Sequence, residues 1–432
     1  MNPTPTPLTR RHFLTRSGAI ITPAAFPFVL RGLSGADAKN QDTLKIGLVG
    51  CGGRGTGAAS QALTADYNVT LHAVADAFAD KAEAAVQRLG DKFANRVDVP
   101  KERQFTGLEA YKQVIDCCDV VLLATPPGFR PHHLQAAVDA GKHIFCEKPM
   151  AVDAAGYRVA MEAIRKSKEK KICVVAGFCW RRDTSRREAF RRLHDGQIGD
   201  VTSILATYHT GPVKPMPEAS ARQPEWSDVE WQLRNWYNFS WLGGDGLVEQ
   251  AVHSVDKIGW AMKDKDPISC VATGGRQIPA HGGNIYDHFH VAYEYENNVF
   301  CHLASRQITG CYNENHDYIR GTKGALLIKG NGVMIDSEQR WRYREQDSDK
   351  DMYQIEHDEL FATIRKGEVV NDGDWMLHST MLGLMGRMAA YTGKKITWAD
   401  AIKSPEDLAP EETLKWGDKF EPTPLPRPGQ KV

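Results

Sequence analysis

The sequence predicts a two-domain α/β protein, with an N-terminal doubly wound parallel sheet and a C-terminal α+β domain that carries a large, mostly antiparallel open sheet. Three observations lead to this prediction. Short apolar strands alternate with helix-like segments between residues 44 and 178, as in a parallel sheet with crossover helices. From about residue 180 onward, strand signals separated by turns follow one another directly, so the first domain is predicted at residues 39–178 and the second, for substrate binding and oligomerisation, at residues 179–432. The length of 432 residues exceeds what a single core usually needs, at roughly 150 residues per domain.

The composition excludes several classes of protein. Lys and Arg number 54, as do Asp and Glu, so the formal net charge is zero. A protein that binds nucleic acid normally needs a basic face, which this balance does not favour. With 42% hydrophobic residues the chain is also not a disordered one. Its nine cysteines are scattered over the chain and indicate buried thiols rather than a disulfide framework.

Residues 1–38 are predicted to be an export signal outside the fold. Arg10 and Arg11 lie in a polar stretch without acids, the apolar run 19–30 follows, and Ala36-Asp37-Ala38 has the small-x-small pattern that signal peptidases cut. This arrangement resembles a twin-arginine signal, which exports folded proteins to the periplasm or beyond. The apolar run is shorter than the roughly 20 residues of a membrane span, so we do not expect a permanent anchor. The alternative is a disordered N-terminus that happens to contain two arginines.

The first strand of the mature chain, residues 44–49, runs into a glycine-rich loop that is followed by a helix-like segment. In this context GxGxxG is typical of a Rossmann dinucleotide site, where the loop and the helix N-terminus accept a pyrophosphate. The second strand ends at Asp76, where an acidic side chain would meet the adenosine ribose hydroxyls. A carboxylate there repels a 2′-phosphate, so NAD is expected rather than NADP. The predicted loop residues are Gly50, Gly52, Gly53, Arg54 and Gly55.

Two further strands of this domain end in polar or proline-rich segments. The apolar run 119–124 leads into Thr125 and Pro126, and the strand 143–146 leads into Glu147 and Lys148. Ligands of a doubly wound sheet bind outside the carboxyl ends of its strands. We therefore expect these residues to lie at the same edge of the sheet as the glycine loop.

These residues resemble the Gfo/Idh/MocA family of nicotinamide-dependent oxidoreductases, which act mostly on sugars, inositols and related polyols. The resemblance rests on the glycine loop, on Thr125-Pro126-Pro127 with His133, and on the segments 141–149 (GKHIFCEKP) and 243–256 (GGDGLVEQAVHSVD). It implies that Thr125, Pro126, His133, Glu147 and Lys148 belong to the cofactor site. It also implies that Lys148 lies beside the nicotinamide ribose and the substrate hydroxyl as a proton carrier.

The family's second catalytic element is typically an Asp followed four residues later by a His, and Glu249 and His253 occupy these positions here. A spacing of four puts both side chains on one helix face, where they can bond each other or a common substrate hydroxyl. Oxidation of a secondary alcohol needs a group that accepts the hydroxyl proton. Lys148 and His253 both qualify, and the sequence leaves the choice between them open.

A tryptophan-rich stretch, residues 226–241, precedes this helix and includes Trp236. Aromatic faces stack on sugar rings, so this stretch suits a carbohydrate cleft, although the same aromatics can simply pack on their own domain. Arg181 follows the strand 172–178, where related enzymes place substrate contacts. The predicted substrate residues are Lys148, Arg181, Trp236, Glu249 and His253.

The second domain is predicted to contain strands at 201–208, 268–274, 289–295, 299–305 and 325–329, and an amphipathic helix at 375–391. Related proteins use the bare face of this sheet for assembly, so the resemblance implies a homodimer or homotetramer. His288 and His290 alternate on a strand near His281 and His316, but no ligand spacing around them is typical of a metal site. We expect no metal.

Export limits the possible functions, because little free nicotinamide cofactor exists outside the cytoplasm. The first hypothesis is an oxidoreductase that holds NAD tightly and passes hydride from one sugar or polyol to another acceptor. A second is a redox-neutral glycosidase that uses bound NAD transiently. The histidine-glycine-rich pattern expected of such glycosidases is missing near His253. A third is a nucleotide-bound sugar sensor without turnover, against which Lys148, Glu249 and His253 argue.

Overall fold

A computed structural model describes residues 42–278, 282–346, 349–408 and 414–430. The predicted export signal and His281 lie outside the described residues. None of the helices in these ranges is long and apolar enough to span a membrane.

The first domain is built on a six-stranded parallel sheet, so the predicted doubly wound parallel sheet is confirmed, although its edge strand β3 was not predicted. The strand order is β3-β2-β1-β4-β5-β6, and the direction of winding reverses between β1 and β4. β4, with the sequence VVLL, is buried at every position because helices cover both faces of the sheet. The strands are β1 Leu44–Val49, β2 Val69–Asp76, β3 Gln104–Thr106, β4 Val120–Leu123, β5 His143–Cys146 and β6 Val174–Ala176. The helices are α1 Gly53–Ala65, α2 Ala79–Phe93, α3 Ala110–Cys117, α4 Arg130–Asp139 and α5 Ala154–Glu169.

The second domain contains a nine-stranded sheet with the order β14-β13-β12-β11-β7-β10-β9-β8-β15. Every neighbouring pair is antiparallel except β7 and β10, so the predicted mostly antiparallel sheet is confirmed. The sequence analysis did not find β11, β13, β14 and β15. The strands are β7 Val201–Thr210, β8 Ser269–Gly275, β9 His288–Tyr295, β10 Val299–Gln307, β11 His316–Gly321, β12 Gly324–Lys329, β13 Gly332–Ser337, β14 Trp341–Arg342 and β15 Ile396–Thr397.

One face of this sheet is covered by helices and the other is open. Strand residues alternate between the two faces, and the open face carries the exposed side chains of Leu205, Val271, Phe300 and Met334. The helices are α6 Thr184–His194, α7 Asp228–Arg234, α8 Ser240–Gly243, α9 Val252–Ala261, α10 Met352–Lys366, α11 Gly373–Thr392 and α12 Trp398–Lys403. A π-helical segment, Leu247–Ala251, directly precedes α9.

Helix α11 corrects the prediction of an amphipathic helix at 375–391. Nearly all its residues are buried, because it packs against β8 and α9 on one side and α5 of the first domain on the other. A helix enclosed in this way is apolar all round rather than on one stripe.

The segment 352–372 returns to the first domain, although it lies within the residues that the sequence assigned to the second. Helix α10 packs on α1, and Leu360 and Phe361 are part of the first domain's core. The backbone NH of Val174 in β6 donates to the carbonyl of Val370 over 2.9 Å, and the NH of Asp372 donates to the carbonyl of Val174 over 2.9 Å. The core of the first domain is therefore completed by residues far along the chain.

Candidate active site

A cavity of about 710 Å³ lies at the carboxyl ends of the first sheet's strands and is closed by residues of the second domain. Its lining includes every site residue that the sequence predicts except Arg181. This edge of a doubly wound sheet is where ligands bind.

The glycine loop enters the cavity between β1 and α1. Gly50 has a φ of +95°, and a Cβ there would lie 2.6 Å from the carbonyl carbon of Ala124. A Cβ on Gly55 would lie 1.8 Å from the carbonyl oxygen of Gly50, so α1 and β1 can approach only with glycine at this position. Around Gly52 and Gly53, by contrast, no atom lies within 4 Å of such a Cβ. This open space at the N-terminus of α1 fits a pyrophosphate.

Asp76 ends β2 beside this loop. One of its carboxylate oxygens accepts a hydrogen bond from the backbone NH of Cys51 over 2.7 Å, and the other accepts from the NH of Phe78 over 3.0 Å. Burial raises the pKa of the carboxyl group, and these two NH groups oppose the increase. The carboxylate is thereby fixed at the cavity wall.

Arg54 is held by acidic residues from two parts of the chain. Its guanidinium pairs with Glu147 after β5 and lies 3.6 Å from the Glu356 carboxylate in α10. The ring of Tyr353, which lines the cavity, stacks on the same guanidinium at 4.8 Å. Gly177 makes room for Glu147, since a Cβ there would lie 2.7 Å from the carboxyl carbon. Tyr353 and Glu356 were not predicted as site residues, because they lie in α10, within the residues that were assigned to the second domain.

Thr125 and His133 lie next to each other on the adjacent wall. The Thr125 hydroxyl and the Nδ1 atom of His133 are 3.1 Å apart, and the His133 ring packs 4.1 Å from the ring of Tyr111. Burial, with the nearby charges of Arg130 and His132, lowers the pKa of His133 to about 3, so its imidazole is neutral at physiological pH. Arg130, which the sequence analysis also missed, donates to the carbonyls of Thr125 and Pro149 and thus ties the ends of two strands together.

Lys148 and Glu249 meet across the cavity. The Lys148 ammonium donates to the Glu249 carboxylate over 3.0 Å and also to the backbone carbonyl of Glu249. The other carboxylate oxygen accepts from the amide of Gln250 over 2.7 Å. Glu249 belongs to the π-helical segment, and such segments are frequent at functional sites. The two predicted catalytic residues of different domains are thus brought together.

His253 lines the same part of the cavity but does not bond Glu249. Its ring lies 5.1 Å from the ring of Trp180, and its Nδ1 atom is buried without a hydrogen-bond partner among the described residues. Burial lowers the pKa of His253 well below its usual value, and the charges of Lys148, Lys257 and Arg54 add to this effect. A neutral imidazole at a cavity wall can accept a proton from a bound hydroxyl.

Some aromatic residues of the tryptophan-rich stretch line the cavity, and others pack on their own domain. Trp236 and Tyr237 line the cavity, and the Tyr237 hydroxyl donates to Gln307 over 2.8 Å. Trp241 is buried and donates from its indole nitrogen to Gln232 over 2.7 Å. Trp226 and Trp231 stack on each other 6.1 Å apart, outside the cavity lining.

Arg181 does not lie where a substrate contact is predicted. Its guanidinium is buried in ion pairs with Asp256 in α9, at 2.9 Å, and with Asp264, at 2.6 Å. Both carboxylates are far along the chain, so the sequence spacing gave no sign of this pairing. Arg181 ties the segment after β6 to helix α9 and has no group directed into the cavity.

Within the described ranges no three His, Cys, Asp or Glu side chains are grouped so that they could hold a metal ion. His288 and His290 do share the open face of the sheet, and the His290 ring stacks on His302 at 5.5 Å.

Two family models match the chain. Residues 44–177 match the oxidoreductase family GFO_IDH_MocA, NAD-binding Rossmann fold, and residues 187–327 match the GFO/IDH/MocA C-terminal domain. Among curated proteins, an inositol 2-dehydrogenase of Rhizobium meliloti is 26% identical over 290 residues, which covers 66% of this chain and 76% of that protein. A glycosyl hydrolase family 109 protein of Shewanella pealeana is 30% identical over 166 residues, which covers 34% of each.

Solved structures share the fold of the chain. A levoglucosan dehydrogenase in complex with NADH and levoglucosan has a TM-score of 0.64 at 19% identity, covering 82% of this chain and 99% of that one. An aldose-aldose oxidoreductase from Caulobacter crescentus, complexed with glycerol, has a TM-score of 0.64 at 18% identity with the same coverage.

Proposed function

The chain belongs to the Gfo/Idh/MocA family of NAD(P)-dependent oxidoreductases acting on CH–OH groups, and on that basis we propose that it moves hydride between a sugar or polyol carbon and a permanently bound NAD. The observation that carries this proposal is the position of Lys148, Glu249 and His253 in the same cavity as the glycine loop. The dinucleotide fits this loop, and the proton-transfer groups face the remaining space.

In the proposed reaction the chain handles the proton. Bound NAD supplies the acceptor for the hydride that leaves the alcohol carbon. The neutral His253 accepts the hydroxyl proton, while the Lys148 ammonium stabilises the negative charge that develops on the oxygen. Glu249 orients Lys148 through the 3.0 Å ion pair. In the reverse direction His253 would return the proton to the oxygen of a carbonyl compound.

Retention of the cofactor is supported by the C-terminal tail. Phe78 lines the cavity two residues after Asp76, and Trp416 packs edge-on against its ring at 5.3 Å. The guanidinium of Arg234 lies 4.2 Å from the same ring. The Ser227 hydroxyl donates to the carbonyl of Trp416, which holds the tail in place. These contacts close the side of the cavity where the adenosine would bind.

The test is a release and reduction experiment on protein purified without residues 1–38. The protein is denatured, the released NAD(H) and NADP(H) are quantified, and the native protein is incubated with sugars and polyols. We expect near-stoichiometric NAD that becomes reduced and stays reduced until a second carbonyl compound is added. NAD that is absent after purification, or that exchanges freely at each turnover, would contradict the retained-cofactor part of the proposal.

The same experiment distinguishes the alternative, a redox-neutral glycosidase, from the proposed oxidoreductase. The matching region of the family 109 relative is the observation in favour of it. An aryl glycoside that is cleaved without lasting reduction of bound NAD would establish this alternative. Bound NAD that no compound reduces, on a protein that still binds sugar, would instead indicate a sensor.

We also propose that the protein is exported by the twin-arginine pathway, on the strength of Arg10 and Arg11 and the segment that follows them. The Arg10→Lys, Arg11→Lys double variant should accumulate in the cytoplasm in folded form. Export of this variant at the normal rate would refute the proposal.

We also propose that the protein forms a homodimer or homotetramer through the open face of the nine-stranded sheet. Leu205, Val271, Phe300 and Met334 expose apolar surface on this face, and a flat apolar face of this kind suits a symmetric interface.

A further inference from the structure

The cavity carries more positive than negative side chains. The cationic residues of its lining are Arg54, Lys81, Arg130, Lys148, Lys214 and Arg234. The acidic ones are Asp76, Glu147 and Glu249. A cation that is not paired within the protein remains available to bind a ligand.

Most of them have partners within the protein. Arg54 pairs with Glu147, Lys148 pairs with Glu249, and Arg234 pairs with Glu230 over 2.7 Å. Arg130 donates to two backbone carbonyls, while its buried Nε atom has no hydrogen-bond partner among the described residues. Lys81 lies on the adenosine side, where its charge acts on the carboxylate of Asp76.

Among the described residues, Lys81 and Lys214 are the lining cations whose ammonium groups make no hydrogen bond or ion pair. Of these two, Lys214 is the one that lies beside Trp236. No carboxylate and no hydrogen-bond acceptor of the described residues lies within bonding distance of its ammonium group. It lies on the loop after β7, between Pro212 and Pro215, and its backbone carbonyl accepts a hydrogen bond from the Asn238 amide over 3.2 Å. The two prolines restrict the backbone on either side, so the loop presents this side chain from a fixed position.

The position of Lys214 is on the substrate side of the cavity. Its ammonium lies 4.9 Å from the centre of the Trp236 ring, which lines the cavity as a candidate sugar-stacking surface. Lys214 is an exposed residue whose pKa is lowered by desolvation at the cavity wall and by the charge of Lys81, and raised by the Glu249 carboxylate. Glu249 and Lys81 are therefore both within electrostatic reach of its ammonium group. Lys214 thus faces the catalytic pair with a positive charge that nothing in the pair neutralises.

We propose that Lys214 binds a carboxylate of the substrate, so that the proposed oxidoreductase acts on an acidic sugar such as a uronate or aldonate rather than on a neutral one. This inference rests on the proposed function and names its substrate class. Lys214 supplies one positive charge beside Trp236, which matches one carboxylate. Lys81 lies within electrostatic reach of Lys214, so a dianionic phosphate is the alternative that glucose 6-phosphate tests. Trp236 would hold the sugar ring while Lys214 binds the acidic group at its edge.

The test is calorimetric binding to the NADH-loaded protein, in which oxidation of the sugar is blocked. The probes are matched pairs that differ at one carbon, namely glucose with glucuronate and galactose with galacturonate, together with glucose 6-phosphate. We expect at least one uronate to bind about tenfold or more tightly than its neutral partner. Lys214→Met keeps the stem on Trp236 but removes the charge, and should reduce that ratio to near one. Lys214→Arg should restore much of it.

Lys403→Met is the matched control, because it removes an exposed cation of α12 that lies outside the cavity lining. It should change the ratio of uronate to neutral-sugar affinity by less than twofold. A wild-type protein that binds neutral sugars as tightly as uronates, that binds neither, or that prefers glucose 6-phosphate would overturn the inference. A Lys214→Met variant whose affinities for the uronate and for the neutral sugar fall by the same factor would also overturn the inference.

Failure of the proposed function has a different signature. Uronates that bind through Lys214 but never reduce bound NAD would refute the oxidoreductase and leave the carboxylate site standing. Neutral polyols that reduce bound NAD without any preference for uronates would refute the carboxylate site alone.

Discussion

The Lys148 ammonium and the Glu249 carboxylate are 3.0 Å apart, and each comes from a different domain. Lys148 follows β5 of the first sheet, whereas Glu249 belongs to the π-helical segment before α9. Both side chains are largely buried, so this pair is screened little by solvent. The contact fixes the distance between the cofactor edge of the first domain and the substrate side of the second.

Replacing Lys148 by Met should reduce kcat by a factor of about 10² to 10⁴ while NAD stays bound, because the variant keeps the stem but loses the charge beside the reacting oxygen. The measurement is the rate of NADH formation together with the amount of NAD released on denaturation. Lys142→Met, just before the start of the same strand, is the control and should leave kcat unchanged. Full turnover in Lys148→Met would refute the proposed role.

Asp76→Asn should weaken the preference for NAD over NADP by about 10-fold to 100-fold, the value of one hydrogen bond to a charged group. The carboxylate binds ribose hydroxyls and repels a 2′-phosphate, and the amide does neither as well. Dissociation constants of both cofactors on stripped protein measure the effect. Asp80→Asn, an exposed acid in the following helix, is the control. If the ratio stays the same in Asp76→Asn, the ribose assignment is wrong.

Trp416→Ala should speed the dissociation of NAD by about tenfold or more, because it removes the ring that packs on Phe78 and closes the adenosine side. The rate is measured by chasing bound NADH fluorescence with excess NAD. Trp341→Ala, on an edge strand of the second sheet, serves as the control. A dissociation rate equal to that of the wild type would mean that the tail does not retain the cofactor.

His133 should make the protein less stable in acid. Its pKa is about 3 in the folded protein and near 6.5 when unfolded, so the unfolded chain takes up a proton first as the pH falls. Stability attributable to this residue is complete above about pH 6.5 and decreases below it, by about 1.4 kcal/mol per pH unit.

The measurement is urea unfolding at a series of pH values between 7 and 4. His133→Asn keeps an atom that can bond Thr125 and should reduce the slope of unfolding free energy against pH by about that amount. The exposed neighbour His132 offers the control His132→Asn, with an unchanged slope expected. Equal slopes in all three proteins would show that His133 is not the titrating group.

Phe300→Glu should disrupt the proposed oligomer, because it places a charge in the middle of the open sheet face. Sedimentation velocity should give a smaller species than the wild type. Tyr67→Glu, an exposed position between α1 and β2, should leave the assembly intact. If the wild-type protein sediments as a monomer, the open face has another role.

The elements that the sequence predicted best are those whose signal is local. Strands β4 and β6 are continuous apolar runs, and the glycine loop lies where a strand and a helix meet. Strand β3, with the sequence QFT, has no such signal and was not predicted. The nine-stranded sheet was predicted to be mostly antiparallel, but four of its strands were not predicted. Strand β11 carries Asp317, which is buried against Lys257 of α9, so a charged residue interrupts the apolar pattern of the strand.

The parts of the site that the sequence did not predict depend on distant partners. Arg181 was predicted to contact the substrate, but its guanidinium is neutralised by ion pairs with Asp256 and Asp264. Glu249 and His253 were expected to share a helix face, but the π-helical segment changes the local spacing and Glu249 bonds Lys148 instead. Tyr353 reaches the cavity only because helix α10 packs on the first domain.

The return of the segment 352–372 to the first sheet affects the order in which the parts of the protein can fold. Domains usually fold from the N-terminus onward during synthesis. Here the first core lacks Leu360, Phe361 and the backbone partner of Val174 until most of the chain has been translated. Tyr353, which lines the cavity, comes from the same segment, so we expect the cavity to be completed late in synthesis. If a pathway that exports only folded proteins acts on this chain, it would then act on a chain whose synthesis is nearly complete.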